Sequence, residues 1–457
     1  MGLDWNTIDR FVFGEAWTNS LIKSHAEILC EQVGPRWATS ESEFAAATFI
    51  REQFSKDGLD NPILESFNLP TWSYTHALAK LVEIDFAIDL LPFNRCPSCR
   101  LTAPVVNVGY GTEDILDDQR NHIHGAVTIM YVDYEPFSQP IPLSDRLFKL
   151  AQLGAVAIVC IDPKNGRRME YRSAGDWRIP ERAEAPVPCV TTSREHGSLL
   201  MKSAGKMLTI EVDSTFYDAN TQNVDAHLKG NQWPETQLIL GGHHDTVFNS
   251  SGGNDNASGT IAVLETARVL ATLRNELGIS PGCTIRFATF SAEEQRLAGA
   301  AAYAQQHCSQ KDQTRLVINL DELSTGYIKG IVLAFPHLRA LIQSQLDLMG
   351  DGLKCHVMSQ LDSTSDHFPF LRQGIDASHL WRWRFHGRNS DSNYHHENAD
   401  TVDKINVREL KEYVGQLSRL LLRLSYVDPS IWPTSPQTRD SVESRLLNER
   451  GTVIRVY

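Results

Sequence analysis

From Asn223 onward the sequence repeats one rhythm: a short apolar run, a polar loop, a helix-like stretch, then another run. Gln237–Gly241 (QLILG) precedes Ala257–Leu277, where Ile261, Leu264, Ala267, Val269 and Leu270 recur at helical spacing. Thr284–Phe290 (TIRFATF) alternates as a strand does, and Leu316–Leu320 (LVINL) is again short and apolar. Strands alternating with helices predict an α/β fold, a mixed β-sheet flanked by helices on both faces. Ligands of such sheets sit outside the carboxyl ends of the strands. Val407–Leu424 reads as a closing amphipathic helix.

The rest of the chain divides by texture. Residues 1–72 read as a helical N-terminal part, with Ser20–Val33 and Ser40–Gly58 carrying apolar residues at three-to-four spacing. There Ser40 is the expected N-cap and Gly58 the stop. Residues 73–214 read as an inserted β-rich domain, with strand-like runs at Ala126–Val132, Ala155–Ile161 and Met207–Val212 and a helical run at Ser144–Leu153. The catalytic part is expected over 215–427, and the tail 428–457 has no readable pattern.

Composition narrows the function classes. Apolar residues at 42% and charged residues at 22% suit a globular chain with a sizeable core, not a disordered or coiled-coil one. Lys and Arg number 43 against 56 Asp and Glu, a net of −13 that argues against a nucleic-acid partner. The start, MGLDWNTIDRF, does not read as a secretory signal. The most apolar stretch, Ala155–Ile161, is far below the ~20 residues of a spanning helix, so no membrane partner is expected. Eight scattered cysteines then read as reduced thiols of a cytoplasmic protein. Cys96-Pro-Ser-Cys99 is a lone CxxC without the second pair of a zinc knuckle, and is read as a loop.

Five segments carry chemistry: Gly241-Gly-His-His-Asp-Thr246, Gly253-Asn-Asp-Asn-Ala-Ser-Gly259, Ser291-Ala-Glu-Glu294, Asn319-Leu-Asp-Glu322 and Tyr394-His-His-Glu-Asn-Ala-Asp-Thr401. Alone, each reads as a turn, a surface pair or an acidic helix start. Together, four of the five fall at strand ends or helix starts along one sheet edge. Imidazole and carboxylate are the usual ligands of zinc in hydrolytic sites. Two ions at about 3.5–4 Å clamp the attacking and the carbonyl oxygen, which calls for a bridging carboxylate such as Asp255. Adjacent glutamates allow one to ligate and the other to move a proton.

The ordered run GGHHDT, GGNDNASG, FSAEE, NLDE, SDHFPF and YHHENADT resembles the di-zinc exopeptidase family of bacterial leucyl aminopeptidase, aminopeptidases S and Y, and glutamate carboxypeptidase. That likeness covers about Asn223–Leu424, with Gly34-Pro-Arg36 similar to the family's opening and the insert similar to its protease-associated domain. It implies a zinc-exopeptidase, phosphorylase/hydrolase-like fold and two divalent ions, Zn2+ first, with Mn2+ or Co2+ also compatible with the ligands. By the same resemblance His243, Asp255 and Asp321 hold one ion, and Asp255, Glu294 and His396 the other. Glu293 is then the general base, and Asp245 orients the far nitrogen of His243. His396 is preferred over His395 because His396–Asp400 keeps the family spacing. Asp366 and His367 match a segment that supplies no ligand.

Two departures stand out: Gln295-Arg296-Leu297 where the family commonly has Gly-Leu, and the cationic, aromatic stretch Trp381–Arg388. Arg382, Arg384 and Arg388 are candidate grips for a substrate carboxylate, or else a solvated strand edge. The expected activity is hydrolysis of C–N amide bonds of small peptides or amides, first as an aminopeptidase. Alternatives are a carboxypeptidase, a specialised small-molecule amidase, or a non-catalytic scaffold on the same fold. A homo-oligomer is left open, with the insert placed either to cap the site or to form a subunit interface.

Overall fold

The computed structural model describes residues 3–175, 182, 184–308, 313–324, 328–382 and 394–449, with only the backbone of 381 and 382. The chain packs as two units: Met1–Leu69, Asn220–Phe385 and Asp400–Tyr457 form the first, Pro70–Ala219 and His386–Ala399 the second.

In the first unit a mixed sheet runs in the order Lys354–Val357, Ile328–Leu333, Ala377–Arg382, Thr314–Asn319, Trp233–His243, Cys283–Phe290 and the end of Met207–Leu228. The strands Ala377–Arg382, Thr314–Asn319, Trp233–His243 and Cys283–Phe290 are mutually parallel, so their carboxyl ends share one edge. Antiparallel strands flank them on both sides. Alternation along each strand sends side chains to two faces. Leu238, Leu240, Ile285, Phe287, Leu316 and Ile318 join one core with the helices Trp5–Thr18, Ser258–Leu277 and Val407–Ser425. On the other face Phe290 packs against Tyr303 of the helix Ala298–His307 and Phe370 of the helix His367–Arg372, with ring centroids 5.4 and 5.9 Å apart. The helix Ser258–Leu277 is buried on nearly every side, with Glu265 and Arg268 paired to each other within it.

The strands of the second unit are mostly parallel. Met207–Val212 pairs antiparallel with Cys99–Pro104, and Cys99–Asn107, Val127–Tyr131, Ala157–Ile161 and Cys189–Thr192 follow in parallel. Leu91–Pro92 closes the set antiparallel. The core of this unit is Ile88, Val105, Ile129, Val159, Ile161, Val190 and Ile210 with their neighbours.

Ser40 caps the helix Glu41–Lys56 by accepting from the Glu43 N–H, and Gly58 takes φ +79° just past its end. The expected helical reading up to residue 72 fails beyond that point: Asp60–Leu81 is a strand of 22 residues. Pro62 and Pro70 cannot donate within a helix interior. Across Glu65–Leu69 burial alternates with period two, as a half-buried strand requires. The tail forms the helix Arg439–Asn448, started by a Thr438–Ser441 capping box. All eight cysteines are free thiols. Among the described residues no helix is long and apolar enough to cross a membrane.

Candidate metal centre

His243 closes the strand Trp233–His243, so its side chain emerges at the shared carboxyl edge. Its Nδ1 lies 3.1 Å from the Asp245 carbonyl oxygen and 3.5 Å from the Asp245 carboxylate. A carbonyl only accepts, so Nδ1 carries a proton, and Nε2 is the nitrogen left to meet an ion. Nε2 is buried, has no hydrogen-bond partner, and faces Asp255 Oδ1 at 3.2 Å and Asp321 Oδ1 at 3.5 Å. The neighbouring His244 turns inward instead, onto Glu43 at 2.9 Å and Thr289 at 3.0 Å.

Asp255 sits in the turn before the helix Ser258–Leu277, held by a dense set of polar contacts. The N–H groups of Asn254 and Asp255 donate to the two carboxylate oxygens of Asp400, at 2.7 and 2.9 Å. Asn256 donates to the Leu320 carbonyl and accepts from the Gly259 and Glu322 N–H groups. Asn254 and Ser258 accept from the N–H groups of Ser324 and Leu323. Gly259 allows this closeness: a Cβ there would stand 2.3 Å from the Leu320 oxygen. The loop bearing Asp255 and the loop bearing Asp321 are thereby welded together. Asp321 is fixed further by Ser365, whose hydroxyl donates to Asp321 Oδ2 at 2.7 Å.

Glu293 and Glu294 follow the strand Cys283–Phe290 in a turn where Ala292 takes φ +58°. The Asp245 carboxylate accepts from both of their N–H groups, at 3.1 and 3.3 Å. Asp245 therefore orients His243 through its carbonyl and anchors the glutamate pair through its carboxylate. With one ligand atom from each residue, His243, Asp255 and Glu294 lie within 4.8 Å of one another, and so do His243, Glu293 and Asp321.

Electrostatics agree with a cation between them. Burial, then the negative charges of Glu294, Asp366 and Asp321, push the Glu293 carboxyl well above the usual range against the pull of His243. Burial and the same crowd of acids do likewise to Asp366. Burial opposes a charged His243, yet Glu293 and the facing oxygens of Asp245, Asp255 and Asp321 hold its pKa well above normal. One imidazole cannot neutralise that many buried carboxylates. A hard-to-borderline dication with oxygen and nitrogen ligands suits this donor set.

His396 belongs to the second unit. There it stacks on His395 with centroids 3.7 Å apart, takes φ +55°, and accepts from the Tyr171 N–H at 2.8 Å. The adjacent Glu397 is fully buried, paired with Arg168 at 2.6 Å and with Lys164. The side chain of Arg382, and Arg384 and Arg388 altogether, lie outside the described residues.

Several positions stood in the motifs without a role. Asp400, Asn254 and Asn256 act on backbone groups. Arg36 is fully buried and donates to the carbonyls of Leu29, Gly34, His244 and Ser251. It ties the segment after the first helices to the loop following His243.

Residues 223–420 match the family model described as peptidase family M28. Carboxypeptidase Q of Bos taurus is 22% identical over 420 residues, spanning 88% of this chain and 84% of that protein. Aminopeptidase YwaD of Bacillus subtilis is 25% identical over 395 residues, 84% of this chain and 80% of that one. Among solved structures, a peptidase M28 precursor from Shewanella amazonensis superposes with a TM-score of 0.76 at 21% identity, covering 94% of this chain and 99% of that one. A zinc aminopeptidase from Bacillus subtilis gives 0.72 at 21% identity, covering 92% and 97%. These structures share the α/β fold, and residues 223–420 carry the likeness to peptidase family M28.

Proposed function

We propose that this protein is a two-metal exopeptidase that hydrolyses terminal peptide bonds of small peptides, in the first place from the amino end. The observation that carries the reading is the convergence of His243, Asp255, Glu293, Glu294 and Asp321 at one sheet edge. His243, Asp255 and Asp321 would hold one ion. Asp255 and Glu294 would hold the other, and the His396–Asp400 spacing supports His396 as its remaining ligand. Two such ions, when bound, polarise the scissile carbonyl and make a water acidic near neutral pH.

The chain supplies the rest. Glu293 takes the proton of the attacking water and returns it to the leaving amine. Its backbone N–H is pinned by Asp245, so the carboxylate keeps its place while the proton moves. Asp255, gripped through its N–H by Asp400, would serve both ligand sets. The inserted domain we read as protease-associated in type, and the free thiols support a reducing, cytoplasmic setting.

The test is a chelator-reversible assay with metal analysis, on aminoacyl p-nitroanilides, dipeptides and N-acyl amino acids. Activity should vanish with chelator and return with zinc or manganese, with p-nitroanilides preferred. Preference for N-acyl amino acids would move the reading to a carboxypeptidase. Bound metal without turnover on any of these substrates would overturn the exopeptidase reading.

A further inference from the structure

A second group of metal-ligand side chains lies in the first unit and shares no residue with the cluster around His243. Asp362 stands on the loop after the strand Lys354–Val357, His367 opens the helix His367–Arg372, and His379 lies on the strand Ala377–Arg382. With one ligand atom from each, the three lie within 4.8 Å of one another, and the two imidazole centroids are 5.1 Å apart.

Hydrogen bonding fixes what His367 can offer. Its Nε2 sits 3.2 Å from the Asp362 backbone carbonyl, which only accepts, so Nε2 bears the proton. Nδ1 is then a bare lone pair. The residue is 1% exposed, and this nitrogen has no hydrogen-bond partner. A backbone carbonyl holding one imidazole nitrogen is the arrangement that orients metal-bound histidines. Asp362 is prepared in the same way: Thr364 donates to Oδ1 from its N–H at 2.9 Å and from its hydroxyl at 2.7 Å. Asp362 and His379 are partly exposed, which leaves an entry path.

We propose that Asp362, His367 and His379 form a third metal site, selective for a borderline dication such as Zn2+ and completed by water. Two imidazoles and a carboxylate make a three-ligand set that zinc accepts with one open position. The imidazoles disfavour calcium and magnesium, which prefer all-oxygen shells. An ion there ties the loop 361–367 to the sheet. That loop carries Ser365, so the site steadies the hydroxyl that positions Asp321. The inference does not depend on the exopeptidase reading.

The experiment is a zinc titration of the metal-stripped full-length protein against a chromophoric chelator, with D362N, H379Q and the double variant H243Q/D255N alongside. Thermal melts establish which variants fold. D362N keeps an oxygen for the Thr364 contacts, so it is the milder change. The wild type should bind three equivalents, D362N and H379Q one fewer each. H243Q/D255N should retain one equivalent and still gain in melting temperature with zinc. Unchanged stoichiometry in both D362N and H379Q would overturn the third site and leave the exopeptidase reading standing. Should neither variant melt cooperatively, absence of any tight zinc in H243Q/D255N would overturn it. An equivalent lost in D362N and H379Q, with none lost in H243Q/D255N, would establish the third site and count against the His243 cluster instead.

Discussion

Each unit contains a cluster of buried charge, and the two are built on opposite principles. In the second unit, Lys164, Arg168 and Arg172 stand beside Asp162, Glu170 and Glu397, so acid and base are matched within the chain. Against burial, Arg172 and Lys164, with His395 and His396, hold the Glu170 carboxyl down at about 2. In the first unit, carboxylates gather around a single imidazole, and Glu293 and Asp366 are pushed the other way. A cluster that neutralises itself is architecture. A cluster left with surplus negative charge is built around a cation supplied from outside.

That contrast can be broken at both ends. The largest expected effect is in the first cluster: E293Q should lower kcat by about 10²–10⁴-fold, the usual worth of a general base. Metal content should stay at the wild-type value, so a variant that loses metal would reassign Glu293 from base to ligand.

Next comes the self-neutralised cluster. Glu170 has a folded pKa near 2, below its unfolded value near 4.5. Its contribution to stability is therefore complete above pH ~4.5 and disappears as pH falls towards 2. The size is roughly 3 kcal/mol at neutral pH. Urea unfolding of E170Q should show that deficit at pH 7, and the gap to wild type should close on acidification. Chelator should leave the gap unchanged; a gap that follows chelator instead of pH would erase the distinction between the clusters.

Smaller still is D400N. It weakens the grip on the Asn254 and Asp255 N–H groups, and should cost about 10–100-fold in metal affinity. Turnover at saturating zinc should be close to wild type. The readout is the chelator concentration that removes half the metal. The least change is expected from S365A, which removes one hydrogen bond to Asp321 worth about 1 kcal/mol, seen as a several-fold weaker zinc affinity. An unchanged affinity there would detach Ser365 from the site.

The sequence was most legible where side chains do the chemistry. Segments such as GGHHDT and FSAEE must stand at strand ends, and the strands Trp233–His243 and Cys283–Phe290 deliver them there. The central helix and the closing helix were readable for a related reason, since burial imposes a period on their residue types. Less legible was whatever acts through the backbone. Nothing in a pattern of residue types says that Asp400 reaches the N–H groups of a turn nearly 150 positions earlier, or that Arg36 collects four carbonyls. The strand Asp60–Leu81 begins inside the part expected to be helical, and its prolines and the period-two burial of Glu65–Leu69 belong to a sheet. For the adjacent histidines, sequence alone cannot say which one turns inward; the Glu43 and Thr289 partners of His244 decide it.

Asp245 carries a last consequence. Its carbonyl steers one end of the His243 imidazole while its carboxylate fastens the amides of the residues on the next strand's exit. Ligand and base are thus mounted on a common bracket. The distance between the imidazole and the glutamate pair is thereby set by one residue and not by the surrounding loops. A mutation at this position would not delete a donor from the chemistry; it would put the parts out of alignment with each other.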